Sequence, residues 1–175
     1  YRDLKNKIII LTGGSGFLVQ QIVNAFRATK SKIIILDIIK PKNNKAKFYK
    51  CNITNENEVL AISKKIKNKY KKIDILINNA ASDYIPNQKK EKLSMENFKF
   101  DVWKKDLNVG LDGAFICTKV FGSIMASKKK GVILNISSDL GIIAPTQDIY
   151  KSLNFIKTVT YSVVKHGING LTKYT

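Results

Sequence analysis

Five short strand-like runs recur along the chain, and stretches with helical spacing separate them. The runs are Lys7-Ile8-Ile9-Ile10-Leu11, Ile33-Ile34-Ile35-Leu36, Phe48-Tyr49-Lys50-Cys51, Ile73-Asp74-Ile75-Leu76-Ile77 and Val132-Ile133-Leu134-Asn135-Ile136. Each is too short for a stable helix, and most are rich in β-branched residues, so they read as buried strands. Between them, Leu18, Ile22 and Phe26 recur four residues apart, and Val59, Ile62, Ile66 and Tyr70 keep a three-to-four residue spacing. Asn55 is a suitable N-cap for the second of these helices. Residues 38–46 form a polar, basic loop, and a polar stretch over 82–96 leads to a long helix over 97–127. An irregular segment over 139–157 precedes a last helix that runs to residue 175. This alternation predicts an α/β fold, a doubly wound parallel sheet with helices on both faces. Right-handed crossovers then gather the strand C-termini on one edge, where ligands bind in such sheets.

With 175 residues, the chain fits one domain with a real core. No run approaches the roughly 18 uninterrupted apolar residues of a membrane span. The start, Tyr1-Arg2-Asp3-Leu4-Lys5, does not read as a secretory signal. Cys51 and Cys117 have neither metal-site spacing nor a CxxC partner, so both are expected to be buried and reduced in a cytoplasmic protein. The formal charge of +18 could attract phosphate groups. Its lysines are scattered, however, and no aromatic residues interleave with the runs Lys64-Lys65, Lys71-Lys72, Lys89-Lys90 and Lys128-Lys129-Lys130 as stacking platforms. A solvated surface explains them better than a nucleic-acid site, and neither nucleic acid nor membrane is expected as a partner.

The first strand runs into Thr12-Gly13-Gly14-Ser15-Gly16 and then a helix. Glycine permits backbone torsions that other residues resist, and it lets a pyrophosphate come close to the chain. The helix N-terminus adds unpaired N–H groups and the positive end of a dipole. Asp37 closes the second strand. A carboxylate there can accept both ribose hydroxyls of an adenosine and repels a 2′-phosphate, which favours NAD over NADP. Near the end, Tyr161-Ser162-Val163-Val164-Lys165 puts a phenol and an ammonium one helical turn apart on one face. A nearby ammonium favours the phenolate, and a tyrosine so tuned can exchange a proton with a substrate oxygen.

Taken in order, Thr12-Gly13-Gly14-Ser15-Gly16, Asn78-Asn79-Ala80-Ala81, Asn108-Val109-Gly110, Asn135-Ile136-Ser137-Ser138 and Tyr161…Lys165 resemble the successive motifs of the short-chain dehydrogenase/reductase family. The resemblance covers essentially the whole chain and implies a Rossmann-type NAD(P)-binding domain over 1–175. It implies Tyr161 as general acid/base and Lys165 as the residue that lowers its pKa and holds the nicotinamide ribose. Ser138 is implied to hydrogen-bond the substrate oxygen, and Asn108 to hold a water in the proton relay. On the cofactor side the same resemblance implies Gly13, Ser15, Gly16, Phe17 and Leu18 at the turn, with Asp37, Asn52, Ile53, Asn79, Ala80 and Ala81. Tyr161 and Lys165 complete that set, and no metal site is expected.

The pattern departs from the family in places. Val19 replaces the third glycine of the turn, adding bulk where helix, strand and cofactor meet. Asn52 stands where an Asp often faces adenine, and Ala81 replaces the usual Gly. The Ser-to-Tyr interval is 161 − 138 = 23 residues, longer than the family's usual spacing, and the extra residues around Ile149-Tyr150-Lys151-Ser152-Leu153-Asn154 are placed to form a lid. That longer loop is similar to a bacterial subgroup associated with flagellin modification and surface-sugar biosynthesis, which implies a small-molecule substrate of sugar or sugar-phosphate type. The resemblance also implies a homodimer or homotetramer. Family chains run to about 250 residues, a single-domain size. The last strands and substrate loop are therefore expected to lie beyond residue 175, with an exposed sheet edge and little turnover without them. His166 points away from the Tyr161/Lys165 face and reads as structural. A non-catalytic nucleotide-binding scaffold with the same fold is the competing reading, motivated by Val19 and Asn52.

Overall fold

The fold is that of a computed structural model, which describes residues 2–14, 16–42, 46–82, 94–153 and 156–175. The chain forms two compact units. One comprises residues 1–80 and 113–136, and the other residues 81–112 and 137–175.

The first unit carries the sheet: β1 (Ile8–Thr12), β2 (Lys32–Asp37), β3 (Lys47–Lys50), β4 (Ile75–Asn78) and β5 (Val132–Asn135), with helices α1 (Phe17–Ala28), α2 (Glu56–Tyr70) and α4 (Gly113–Ser127). Every strand pairing is parallel, and the order is β3-β2-β1-β4-β5. The chain works outward from β1 to β3, then returns to lay β4 on the other side of β1. The order therefore reverses between β1 and β4, the place where such sheets leave a crevice beyond their strand ends.

Side-chain alternation explains why both faces are covered. Ile8, Ile10, Ile34, Leu36 and Leu76 point to one face, where Val59, Ile62 and Ile66 of α2 and Cys117, Val120, Phe121 and Met125 of α4 pack on them. Ile9, Leu11, Ile33, Ile35 and Ile77 point to the other, where Val19 and Val23 of α1 pack. Burying each of these side chains contributes about 1.5–3 kcal/mol. Asp74, just before β4, fastens the start of the sheet. Its carboxylate accepts from the Ile8 amide at 2.8 Å and pairs with Lys72 at 3.0 Å and Lys7 at 3.8 Å. Burial pushes this carboxyl up, but the Ile8 amide and the two lysines together hold it below the ordinary carboxylate range. Val132 and Leu134 of β5 are exposed.

The cap on α2 is as the sequence predicts: the Asn55 side chain accepts from the amides of Asn57 and Glu58. Three other elements differ from expectation. The fourth strand begins at Ile75 rather than Ile73, although the Asp74 backbone already bonds to Ile8 and Val132 on either side. The long helix over 97–127 is instead a 3-10 turn (Met95–Asn97), α3 (Phe100–Leu107), a π turn (Asn108–Asp112) and then α4. A π turn inserts one residue without changing which residues are apolar, so hydrophobic spacing does not reveal it. The stretch over Phe100–Ser127 is also long and apolar enough to cross a membrane by composition. In α4 that character belongs to the core, since Ala114, Cys117, Val120, Phe121 and Met125 are buried. Finally, the irregular segment holds two 3-10 turns, Asp139–Gly141 and Gln147–Leu153.

Cys51 and Cys117 are both free and wholly buried. Burial first, and Glu58 second, push the Cys51 thiol up to about 11. Burial pushes Cys117 higher still. Because the thiolate is the reactive form, iodoacetamide at pH 8 is expected to label neither cysteine in the folded protein and both after denaturation. Rapid stoichiometric labelling of the native chain, read by mass spectrometry, would contradict this burial.

Candidate active site

The residues singled out from the sequence fall into two clusters. The first lies in the sheet unit, where β1 and β4 end side by side. Thr12 is buried, and its hydroxyl oxygen accepts from the amides of Asn79 and Ala80, each at 3.1 Å. The Asn79 side-chain amide returns the favour, donating to the carbonyls of Thr12 at 3.1 Å and Gly13 at 3.3 Å. The two strand ends are thus laced together by one threonine and one asparagine. Thr12 has a larger role here than its place in the motif suggested. Asn78 adds a second tie, donating to Thr118 at 3.0 Å and to Asn135 at 2.8 Å.

Gly13 turns the chain at φ 76°. A Cβ there would lie 2.7 Å from the Ala80 Cα. Gly16 is the N-cap of α1 and has no side chain to cap it, and the first turn carries no acidic residue. That combination suits an anion placed at the helix start. Ser15 and the Phe17 side chain lie outside the described residues. Leu18 is exposed. Val19 is wholly buried among Ile9, Leu11, Val23 and Ile35. Its extra bulk therefore fills the core under α1.

Asp37 closes β2, and its carboxylate accepts from the Ile39 amide at 3.0 Å. Asn52 is exposed; its side-chain oxygen accepts from the Thr54 amide and hydroxyl, forming a tight turn. Ile53 is buried in the core.

The second cluster is built on α5 (Val159–Tyr174) in the other unit, which also includes Ala81, an exposed residue. Lys165 is buried, and its ammonium nitrogen lies 5.6 Å from the centre of the Tyr161 ring. The pair therefore shares one helix face, as the four-residue spacing predicts. Two elements carrying the other candidate residues dock on this helix. The turn after Ser138 packs so closely that a Cβ on Gly141 would lie 2.8 Å from the Lys165 carbonyl oxygen. Ser137 donates to that same carbonyl at 3.3 Å, and Asn169 donates to the Gly141 carbonyl at 2.9 Å. The π turn that starts at Asn108 meets α5 at Val164, where a Cβ on Gly110 would lie 2.6 Å from Cγ1. Asn108 itself is exposed.

Spacing alone did not disclose how α5 is held beside α3. The Thr160 hydroxyl, next to Tyr161, donates to the buried Asp106 carboxylate at 2.6 Å. Asp106 lies two residues before Asn108 and 54 positions from Thr160, so no local pattern pointed to the bond. Ser138 donates to the Asp139 carboxylate at 2.6 Å and accepts from the Leu140 amide at 3.2 Å. The Ser138 hydroxyl and the Leu140 amide hold the Asp139 carboxyl below its ordinary range. His166 is exposed, with Nδ1 3.0 Å from the Ser162 carbonyl oxygen. Among the described residues no group of His, Cys, Asp and Glu could hold a metal ion.

Residues 7–175 match the family model described as short chain dehydrogenase. The aldohexose dehydrogenase of Thermoplasma acidophilum, solved without ligand, is similar at TM-score 0.84 and 28% identity, over 99% of this chain and 62% of that one. A short chain dehydrogenase from Leptospira borgpetersenii, solved with bound NAD+, is similar at TM-score 0.80 and 26% identity, over 97% of this chain and 64% of that one. Post-translational flagellin modification protein A of Campylobacter coli is 28% identical over 96% of this chain and 71% of its own length. The chain spans 58% to 61% of the length of several other curated relatives that it matches.

Proposed function

The chain belongs to the short chain dehydrogenase family of oxidoreductases, and on that premise we propose that it is the nucleotide-binding and catalytic part of an NAD-dependent enzyme acting on a carbonyl or hydroxyl group. The observation that carries this is the Tyr161/Lys165 pair on α5, with the turn bearing Ser138 and the π turn bearing Asn108 docked on the same helix. The glycine turn suits the dinucleotide: Gly13 lets the chain pass tightly, and α1 opens with an uncapped, acid-free first turn. Gly13, Ser15, Gly16, Phe17 and Leu18 would hold its phosphates, with Asp37, Asn52, Ile53, Asn79, Ala80 and Ala81 on the adenosine side. When bound, the nicotinamide supplies or takes the hydride.

The chain's own residues handle the proton and the orientation. Tyr161 gives its phenolic proton to the substrate carbonyl oxygen in reduction, and takes it from the hydroxyl in oxidation. Lys165, whose ammonium nitrogen lies 5.6 Å from the centre of the Tyr161 ring, would hold the nicotinamide ribose. Ser138 would turn its hydroxyl from Asp139 to the substrate oxygen, and Asn108 would hold a relay water. A sugar-like substrate is supported by the aldohexose dehydrogenase and flagellin-modification relatives.

Asp37 supplies the test of cofactor choice. A carboxylate there accepts ribose hydroxyls and repels a 2′-phosphate. Titration of the full-length protein, followed by nicotinamide fluorescence, is expected to show NADH binding roughly tenfold or more tighter than NADPH, a difference of about 1.4 kcal/mol. Equal affinities would remove Asp37 from cofactor selection, and failure of both to bind would sink the NAD reading.

A further inference from the structure

We propose that Asp106, Thr158 and Thr160 form a buried polar latch that places the Tyr161 phenol for proton transfer. The proposal rests on the oxidoreductase reading above and adds to it three positioning residues that act through Tyr161.

Tyr161 stands in the first turn of α5, where backbone amides lack partners within the helix. The usual local remedies are missing. Thr158 is the N-cap, a residue type that normally accepts a first-turn amide, yet its side chain makes no such bond, and the first turn holds no acidic residue. What holds the turn comes from another helix. The Thr160 hydroxyl donates to the Asp106 carboxylate of α3 at 2.6 Å, and the Thr158 hydroxyl oxygen lies 3.2 Å from that of Thr160. A hydroxyl has one proton to give, so Thr158 donates to Thr160 and Thr160 to Asp106. All three residues are buried, at 3%, 1% and 3% exposure for Thr158, Thr160 and Asp106, so bulk water does not compete for these bonds.

Thr160 and Val164 are four residues apart and share one face of α5, while Tyr161 and Lys165 share the next. The first of these faces is fastened twice. Asp106 takes Thr160, and Gly110, in the π turn that follows α3, packs on Val164. Fixing that face sets the rotation of α5 about its axis, and with it the direction of the Tyr161/Lys165 face. Stability alone does not explain the choice of residues. Among the described residues no donor meets the second Asp106 oxygen, Oδ1, which is buried. A buried carboxylate so placed costs more than an apolar pair of the same shape. What it supplies is direction, because a hydrogen bond to a carboxylate is short and specific in angle, whereas an apolar contact lets the helix turn.

The test uses the full-length protein with tyrosine carrying 13C in its ring. The Tyr161 signal is the one that Tyr161→Phe removes, so its placement is read by NMR without substrate or cofactor. Thr160→Ser keeps the hydroxyl and is expected to keep the wild-type signal. Thr160→Val strands the buried carboxylate, and is expected to lower the melting temperature and to shift and broaden the signal. The triple variant Asp106→Leu, Thr158→Val, Thr160→Val separates placement from stability. Its apolar side chains match the originals in shape and leave no member of the triad unsatisfied, so its melting temperature should return close to that of the wild type. Its Tyr161 signal should stay displaced. With NAD+ and D-glucose as the probe, its kcat should fall roughly tenfold to a hundredfold, the cost of a misplacement of about 1 Å, while KM and NADH affinity hold. Asp106→Asn keeps the test open if the larger changes prevent folding. It alters one atom and weakens the bond to a neutral one, and it should broaden the Tyr161 signal where Thr160→Ser does not. A displaced signal in a stable triple variant supports the latch even if the wild type oxidises no D-glucose, a result that counts against the oxidoreductase reading alone. A triple variant with wild-type melting, signal and kcat overturns the proposal, since the triad would then be structural only. So does a Tyr161 signal that moves as far in Thr160→Ser as in Asp106→Asn.

Discussion

Tyr161→Phe in the full-length protein is expected to bind NADH as the wild type does while turnover falls roughly a hundredfold to ten-thousandfold, the range for losing a positioned acid/base group. The substitution removes one oxygen and keeps the ring. The ring remains in place to meet the ammonium groups of Lys157 and Lys165. The backbone tie from the Tyr161 amide to the Thr158 carbonyl, 3.2 Å long, and the neighbouring Thr160–Asp106 bond do not involve the hydroxyl. The helix has no reason to move, so the loss should appear in kcat with little change in melting temperature. Turnover within tenfold of the wild type would take Tyr161 out of the proton transfer. A fall in cofactor affinity as large as the fall in turnover would make its role one of binding.

Why the sheet was legible and parts of the site were not follows from what each depends on. β1, β2 and β4 are buried on both faces, so their sequences are nearly continuous apolar runs that announce themselves. The Tyr161/Lys165 pair was legible because a four-residue interval on a helix fixes geometry locally. The π turn was not, since the one residue it inserts leaves the apolar spacing unchanged. Asp106 and Thr160 are joined across 54 positions, and neither residue alone suggests the bond. Val19 departs from a glycine pattern, and only the packed structure shows that its side chain lies in the core between α1 and the sheet.

Gly13→Ala should destabilise the protein by about 2–5 kcal/mol, from roughly 1–2 kcal/mol for a left-handed backbone and a further 1–3 for overpacking. The packing cost arises because the new Cβ would meet backbone. Its neighbours are the Ala80 Cα at 2.7 Å and the Ala80 amide nitrogen at 3.0 Å. That segment cannot yield easily, since Asn79 and Ala80 are both fastened to Thr12. Denaturant unfolding measures the effect, and a stability equal to the wild type would show that the turn is not built this way. Gly16→Ala is the informative partner. Gly16 has φ −71°, and a Cβ there would meet only the Gly13 carbonyl oxygen at 3.5 Å. Its cost to the fold should stay within about 0.5 kcal/mol. If a pyrophosphate settles at the start of α1, that same methyl group occupies the approach, and NADH affinity should fall even though stability does not. A stable Gly16→Ala variant with undiminished NADH binding would place the phosphates elsewhere. A stable variant with weakened binding would separate the two glycines by function, Gly13 serving the strand crossing and Gly16 the ligand.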